Sequence, residues 1–389
     1  MAETHMRFIP YSRQDIDEAD RAAVLRVLGA DFVTQGPEIQ LFEEAFAEKH
    51  EVAHAMAVSN ATAGLHIACL AFDIGPGSLV WTVPNSFVAS ANCALYCGAD
   101  VDFVDIDPLT RNLSVEALTE KLAAADRAGR LPDLLIPVDF AGIPCDLADI
   151  RQLADRYGFK ILQDASHATG AAYQGRPVGG QYADACVFSF HAVKIVTTGE
   201  GGMITTQDDR LAARMAMLRT HGITRDPEAM EDQSQGAWYF EQQELGYNYR
   251  MTDIQAALGR SQLERLEPMA AARSALARRY LDKLAGLPLL LPHVPQDRQA
   301  SWHLFAVQLS DEARCTRAAL FAQLREAGIG VNVHYIPIHL QPFYRRRGFK
   351  PGDFPAAEAF YDRALSIPLF PALTHEDQDR VIDELRTRL

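Results

Sequence analysis

Long hydrophobic runs are missing from this 389-residue chain. No stretch of about 18 apolar residues occurs, so no helix is expected to cross a membrane. Cysteine is scarce: Cys69, Cys93, Cys97, Cys145, Cys186 and Cys315 form no C-x-x-C pair. Cys93 and Cys97 share a helical face, but no His or Cys cluster beside them completes a metal site, and no metal is expected. Buried free thiols in a reducing compartment are the plain reading, which points to the cytoplasm. Positive charge is also short, with 37 Lys and Arg against 51 Asp and Glu, a formal net charge of −14. Nucleic acid and anionic membranes would not be attracted to such a surface, so neither is expected as a partner. A local basic pocket for an anionic small molecule stays open. The run Arg345-Arg346-Arg347 reads as a solvated face, with attraction of a diphosphate as the alternative. Internal repeats and low-complexity tracts are absent too. The start, Met1 to Arg7, has no apolar stretch behind its charges, so no secretory signal is expected there.

What is present is globular, with 48% hydrophobic and 23% charged residues. From about residue 50 to 210, short β-branched apolar runs alternate with amphipathic segments. Residues 134–140 read as a buried strand, and 146–157 as a helix stopped by Gly158. Residues 159–164 and 185–190 read as further strands. This alternation predicts an α/β fold with a mainly parallel sheet covered by helices, and ligands of such sheets sit at the carboxyl ends of strands. Residues 252–286 read as long helix interrupted at Pro268. Beyond it, 302–309 and 330–335 read as strands, and 316–327 and 374–388 as helices. A large domain over 1–260 and a smaller C-terminal α/β domain over 261–389 are expected.

Four stretches carry chemistry. In Ser189-Phe190-His191-Ala192-Val193-Lys194, a lysine follows a buried strand in a Gly/Thr-rich loop. It suits a Schiff-base lysine, whose amine needs a desolvated setting to be nucleophilic near neutral pH. An ordinary loop lysine is the plain alternative. Asp164 ends an apolar strand, where it either meets a pyridinium nitrogen or caps the following turn. Ser59 to His66 open a helix with small and hydroxyl residues, forming either an anion site or plain capping by Ser59 or Thr62. Phe87, in 84–92, either faces a flat ring or belongs to the core.

The order of these stretches is more telling than any one of them. A helix-start phosphate site, an aromatic, a strand-end Asp and a Ser-x-x-x-x-Lys loop follow the arrangement of fold-type I enzymes of pyridoxal 5′-phosphate (PLP). From Ile9 to about Leu385 the chain resembles the DegT/DnrJ/EryC1/StrS family of sugar aminotransferases. The matching stretches include residues 34–37, 103–107, the Asp164 and Lys194 blocks, and 246–257. Within the family it is similar to the branch that aminates a UDP-linked 4-keto-6-deoxy-N-acetylhexosamine for pseudaminic acid, on the strength of His167, residues 219–225 and 238–241.

The resemblance implies PLP fold type I and a nucleotide-sugar transaminase with L-glutamate as donor. By it, Lys194 and Asp164 are catalytic, and Ala61, Thr62, Phe87, Asp164, His167, Ser189, Lys194 and Asn248 bind the cofactor. His167 stands where much of the family has Gln. Asn248 comes from the neighbouring subunit, which implies a homodimer with shared sites. Substrate contacts fall on Tyr11, Asp31, Phe32, Val33, Thr34, Val333, His334, Tyr335 and Ile336, together with Ala61, Ser189 and Asn248. The rival readings are amination of another dTDP- or UDP-linked keto sugar, and a non-catalytic regulatory protein on the same fold. PLP-dependent sugar dehydration is a further rival, but that branch has His where this chain has Lys194.

Overall fold

A computed structural model describes residues 7–232 and 236–389. Residues 1–6, all but Arg7 of the stretch expected to hold no secretory signal, lie outside the described residues. Seven strands form the central sheet: β1 (His54–Val58), β2 (Leu79–Thr82), β3 (Asp100–Phe103), β4 (Leu134–Ile136), β5 (Lys160–Asp164), β6 (Ala185–Ser189) and β7 (Gly202–Thr206). Their order is β1-β7-β6-β5-β4-β2-β3. The pairs from β6 through to β3 are parallel, while β7 runs antiparallel to both β6 and β1. The sheet is therefore mainly parallel, as the alternating segments predict.

The central strands are apolar on both sides because helices cover both faces. The period of two is visible along β1 and β6. Met56, Val58, Ala185 and Val187 pack with α3 (Ala61–Ala71), α4 (Ala89–Tyr96) and α7 (Asp209–Arg219). Ala55, Ala57, Cys186 and Phe188 turn to the other face, onto α2 (Pro37–Lys49) and α8 (Asp253–Glu264). On that side α5 (Val115–Arg127) and α6 (Leu147–Tyr157) cover the β2–β5 half. Gly158 ends α6 at φ 82°, the left-handed stop expected of it.

A second, antiparallel sheet joins β8 (Leu289–Leu290), β9 (Phe305–Leu309) and β10 (Ala364–Ile367). It packs with α9 (Leu266–Lys283), α10 (Arg317–Glu326) and α13 (His375–Arg388). The helix expected over 252–286 breaks at Arg265, between α8 and α9. Pro268 sits in the first turn of α9, where its missing N–H costs nothing. Residue 260 falls inside α8, so no change of element marks it. The strand expected at 302–309 starts only at Phe305. Trp302 takes φ 55°, and Ser301 and His303 donate backbone N–H bonds to Gly142 and Ala141 instead. Residues 330–335 are not a strand either. A lone bridge from Asn332 to Ser366 is all that remains, because Gly330 N–H donates to Ile9.

Candidate active site

The ends of β5 and β6 and the start of α3 converge on one cavity of about 690 Å³. Asp164 is the last residue of β5 and is 4% exposed. Its carboxylate accepts from Ser90 Oγ on α4 at 2.7 Å and from Ser166 N–H at 3.1 Å. It therefore holds a fixed position at the cavity wall. Ser189, the last residue of β6, is buried beside it.

The loop after β6 turns back at once, with Lys194 N–H donating to His191 O at 2.8 Å, and this aims Lys194 into the cavity. The lysine side chain is half-buried, and among the described residues no hydrogen bond holds its Nζ. Desolvation by the surrounding walls lowers its pKa from 10.5 to about 7, partly opposed by the Asp164 charge. An amine near neutrality is divided between base and acid at physiological pH, which suits it to accept and return a proton.

Opposite, α3 starts at Ala61. Its N-cap is Asn60, whose Oδ1 accepts from Ala63 N–H at 2.8 Å; neither Ser59 nor Thr62 has that role. Among the described residues the N–H groups of Ala61 and Thr62 have no partner, and they sit at the positive end of the helix. Gly202 lets β7 come close, since a Cβ there would lie 2.8 Å from Ala61 N. Phe87 is 59% exposed, so it is not core; it stands at the cavity with its ring 6.3 Å from that of Tyr335.

Besides His191, three histidines complete the wall. His167 Nδ1 accepts from Ala141 N–H at 3.3 Å, so Nε2 carries the proton and donates to Tyr335 Oη at 3.1 Å. His303 lies 4.4 Å from His167, ring to ring, and its buried Nδ1 has no partner among the described residues. His334 Nδ1 is 2.8 Å from Ser366 Oγ. Burial, assisted by the charge of Lys194, lowers His334 to about 4 and His167 and His303 well below the ordinary range. All three are neutral at pH 7. His303 was not anticipated; its only sequence signal was a histidine inside an apolar run, in the segment that turned out not to be strand.

Of the residues expected at the site, Tyr11, Ala61, Thr62, Phe87, Asp164, His167, Ser189, Lys194, His334 and Tyr335 line this cavity. Asp31, Phe32, Val33, Thr34, Val333, Ile336 and Asn248 do not. Asn248 is exposed and bridges to Thr220. It does not cap α8, whose N-cap is Thr252 in a reciprocal box with Gln255.

The family model of the DegT/DnrJ/EryC1/StrS aminotransferases matches residues 14–386. The chain belongs to that family. It is 37% identical to the spore coat polysaccharide biosynthesis protein SpsC of Bacillus subtilis, over 99% of this chain and 98% of that one. Among solved structures it is similar to PseC of Helicobacter pylori, an aminotransferase involved in the biosynthesis of pseudoaminic acid. That likeness has a TM-score of 0.90 at 30% identity, over 98% of this chain and 99% of PseC. The putative sugar aminotransferase Spr1654 of Streptococcus pneumoniae, in its PLP form, matches with a TM-score of 0.87 at 28% identity over 98% of each chain. This protein is accordingly a sugar aminotransferase of fold type I, with PLP as its cofactor. The cavity fits that group: a fixed buried carboxylate, an unengaged amine near neutral pKa, and free amides at a helix start for a phosphate.

Proposed function

We propose that this aminotransferase aminates C4 of a UDP-linked 4-keto-6-deoxy-N-acetylhexosamine with L-glutamate as donor, as in pseudaminic acid biosynthesis. The observation that carries the reading is the likeness to PseC along almost the whole of both chains. PLP supplies an electron sink and carries the amino group between donor and sugar.

In this reading Lys194 Nζ takes the proton from the donor carbon and later delivers one to C4 of the sugar, a general acid–base role worth about 10²–10⁴-fold. Asp164 keeps the pyridine nitrogen protonated, and its bonds from Ser90 and Ser166 keep it aimed there. The Ala61 and Thr62 amides, with the Thr62 and Ser189 hydroxyls, hold the phosphate. Phe87 covers the ring face. His167 borders the ring hydroxyl with its Nε2–H already shared with Tyr335. Tyr11, His334 and Tyr335 contact the sugar nucleotide from this chain. Asn248 and residues 31–34, which lie away from this chain's cavity, serve the neighbouring subunit's site in a homodimer. The exposed Phe32 and Val33 suit such a contact. The enzyme works in the cytoplasm, and its cofactor-binding and smaller domains divide near residue 260.

A second reading, amination of a different UDP- or dTDP-linked keto sugar, is favoured by the 37% identity to SpsC. A coupled assay of glutamate consumption against a panel of UDP- and dTDP-4-keto sugars separates the two. The proposal expects the UDP-linked N-acetylated 4-keto-6-deoxy sugar to give the highest kcat/KM. A dTDP sugar outperforming it would overturn the proposal in favour of the second reading.

A further inference from the structure

A second hollow, of about 770 Å³, lies at the opposite end of the sheet from the cofactor cavity. It is built by the beginnings of β2 and β3 (Leu79, Trp81, Asp100 to Asp102), by α5, and by residues 347–349. Where α5 borders it, the helix offers Ala124 and Ala125 and its C-cap Ala128, and these small side chains leave room for a flat molecule. Trp81 and Phe349 supply aromatic wall. Trp81 is 2% exposed and contributes only an edge of that wall, while the half-buried Phe349 presents more of its ring.

The charges around the hollow are not balanced. Asp100 is engaged by Arg130 at 2.8 Å, and Asp102 by Lys121 at 2.6 Å. Lys121 Nζ also lies 4.8 Å from the Trp81 ring centre, which keeps the ammonium against the aromatic wall. Arg347 at the rim is different. It is exposed, as are Arg345, Arg346 and Lys350, and none of the four pairs with a carboxylate among the described residues. A cluster of uncompensated cations is out of character for a chain of net charge −14. It sits beside an apolar, aromatic-walled hollow of ligand size.

We propose that this hollow is a second binding site, for a nucleoside diphosphate, with the base against Phe349 and Ala124, Ala125 and Ala128 and the phosphates on Arg347 and its neighbours. Guanidinium groups match phosphate oxygens bidentately, and the small alanine side chains leave the base room to lie against the Phe349 ring. The site is separate from the catalytic cavity and does not depend on which sugar is aminated there. The occupant is either a free nucleotide or the nucleotide end of a sugar nucleotide.

Hydrogen–deuterium exchange on the PLP-loaded enzyme tests this, with UDP, uridine, pyrophosphate and UDP-N-acetylglucosamine as separate probes. UDP should slow exchange over residues 118–130 and 345–350, independently of any protection around Lys194. Arg347→Ala should weaken the UDP dependence of that protection about tenfold or more, as expected for loss of charged hydrogen bonds. Turnover and the protection around Lys194 should stay unchanged. Phe349→Leu, which removes the aromatic wall, should also weaken it; if that half-buried variant fails to fold, the exposed Arg347→Ala still decides. Tighter protection by UDP-N-acetylglucosamine than by UDP supports the site and identifies the occupant as a sugar nucleotide; equal or weaker protection identifies a free nucleotide. No protection by UDP overturns the proposal, as does an equal effect from uridine or from pyrophosphate alone.

Discussion

Two regions bury cations, and they treat them in opposite ways. In the seam between the large sheet and the C-terminal one, Arg273 donates to the carbonyls of Trp302, His303 and Leu369, and Arg111 to those of Ala306, Leu290 and Leu291. In the cofactor cavity, Lys194 Nζ has no hydrogen-bond acceptor among the described residues, and the Asp164 charge is what favours its ammonium form. Burial lowers all three cations, the arginines to about 10 and the lysine to about 7. The arginines remain charged at pH 7 and act as fasteners, while the lysine is left able to exchange its proton. The difference teaches that desolvation alone does not mark a catalytic cation. Desolvation without acceptors does.

The strongest way to break the comparison is Lys194→Ala. Turnover should fall by roughly 10³-fold or more while far-UV circular dichroism is unchanged, since the proton carrier is lost without any hydrogen bond being broken. A near-native rate would place the lysine with the fasteners. Asp164→Asn should leave PLP bound yet lower the rate strongly, and unchanged kinetics would remove Asp164 from the chemistry.

Arg273→Leu probes the other region. It leaves buried carbonyls without donors, each worth about 1–3 kcal/mol, so urea denaturation should show a loss of roughly 3 kcal/mol or more. A loss below about 1 kcal/mol would mean that the guanidinium fastens nothing.

A pH series sharpens the contrast. Below about 7 both folded and unfolded chains carry the Lys194 charge, and the folded chain bears its burial in full. Between about 7 and 10.5 the unfolded chain holds the extra proton, so this group makes stability rise with pH across that window. Cofactor-free Lys194→Met should lack this rise relative to wild type. Parallel curves for the two proteins would show the lysine to be unperturbed.

The smallest expected effect is at the start of α3. Asn60→Ala should cost about 1 kcal/mol of stability through the lost cap. It should also weaken PLP affinity, measured by equilibrium dialysis, and a weakened fold with unchanged affinity would detach this helix start from the phosphate.

The sequence carried the elements that local pattern and capping determine. Residues 147–157 stop at Gly158, α13 begins behind Thr374 as its N-cap, and the buried strands end at Asp164 and Ser189. It was misleading where distant backbone partners override local preference. His303 reads as strand, yet its N–H is claimed by Ala141 and its carbonyl by Arg273. Ser59 and Thr62 are as good acceptors on paper as Asn60, and it is the start of α3 at Ala61 that makes Asn60 the cap. Phe87 looked apolar enough for the core, and only the convergence of α4, β5 and Tyr335 shows that it faces open space. Residues 31–34 and Asn248 were expected at the site from the family resemblance, but within one chain they do not line the cavity.

The most direct measurement is to reduce the PLP-loaded enzyme with sodium borohydride, digest it, and find the cofactor mass by peptide mapping. The account predicts a single modified peptide with PLP fixed to Lys194. Modification at another lysine, or no stable modification despite bound PLP, would contradict it.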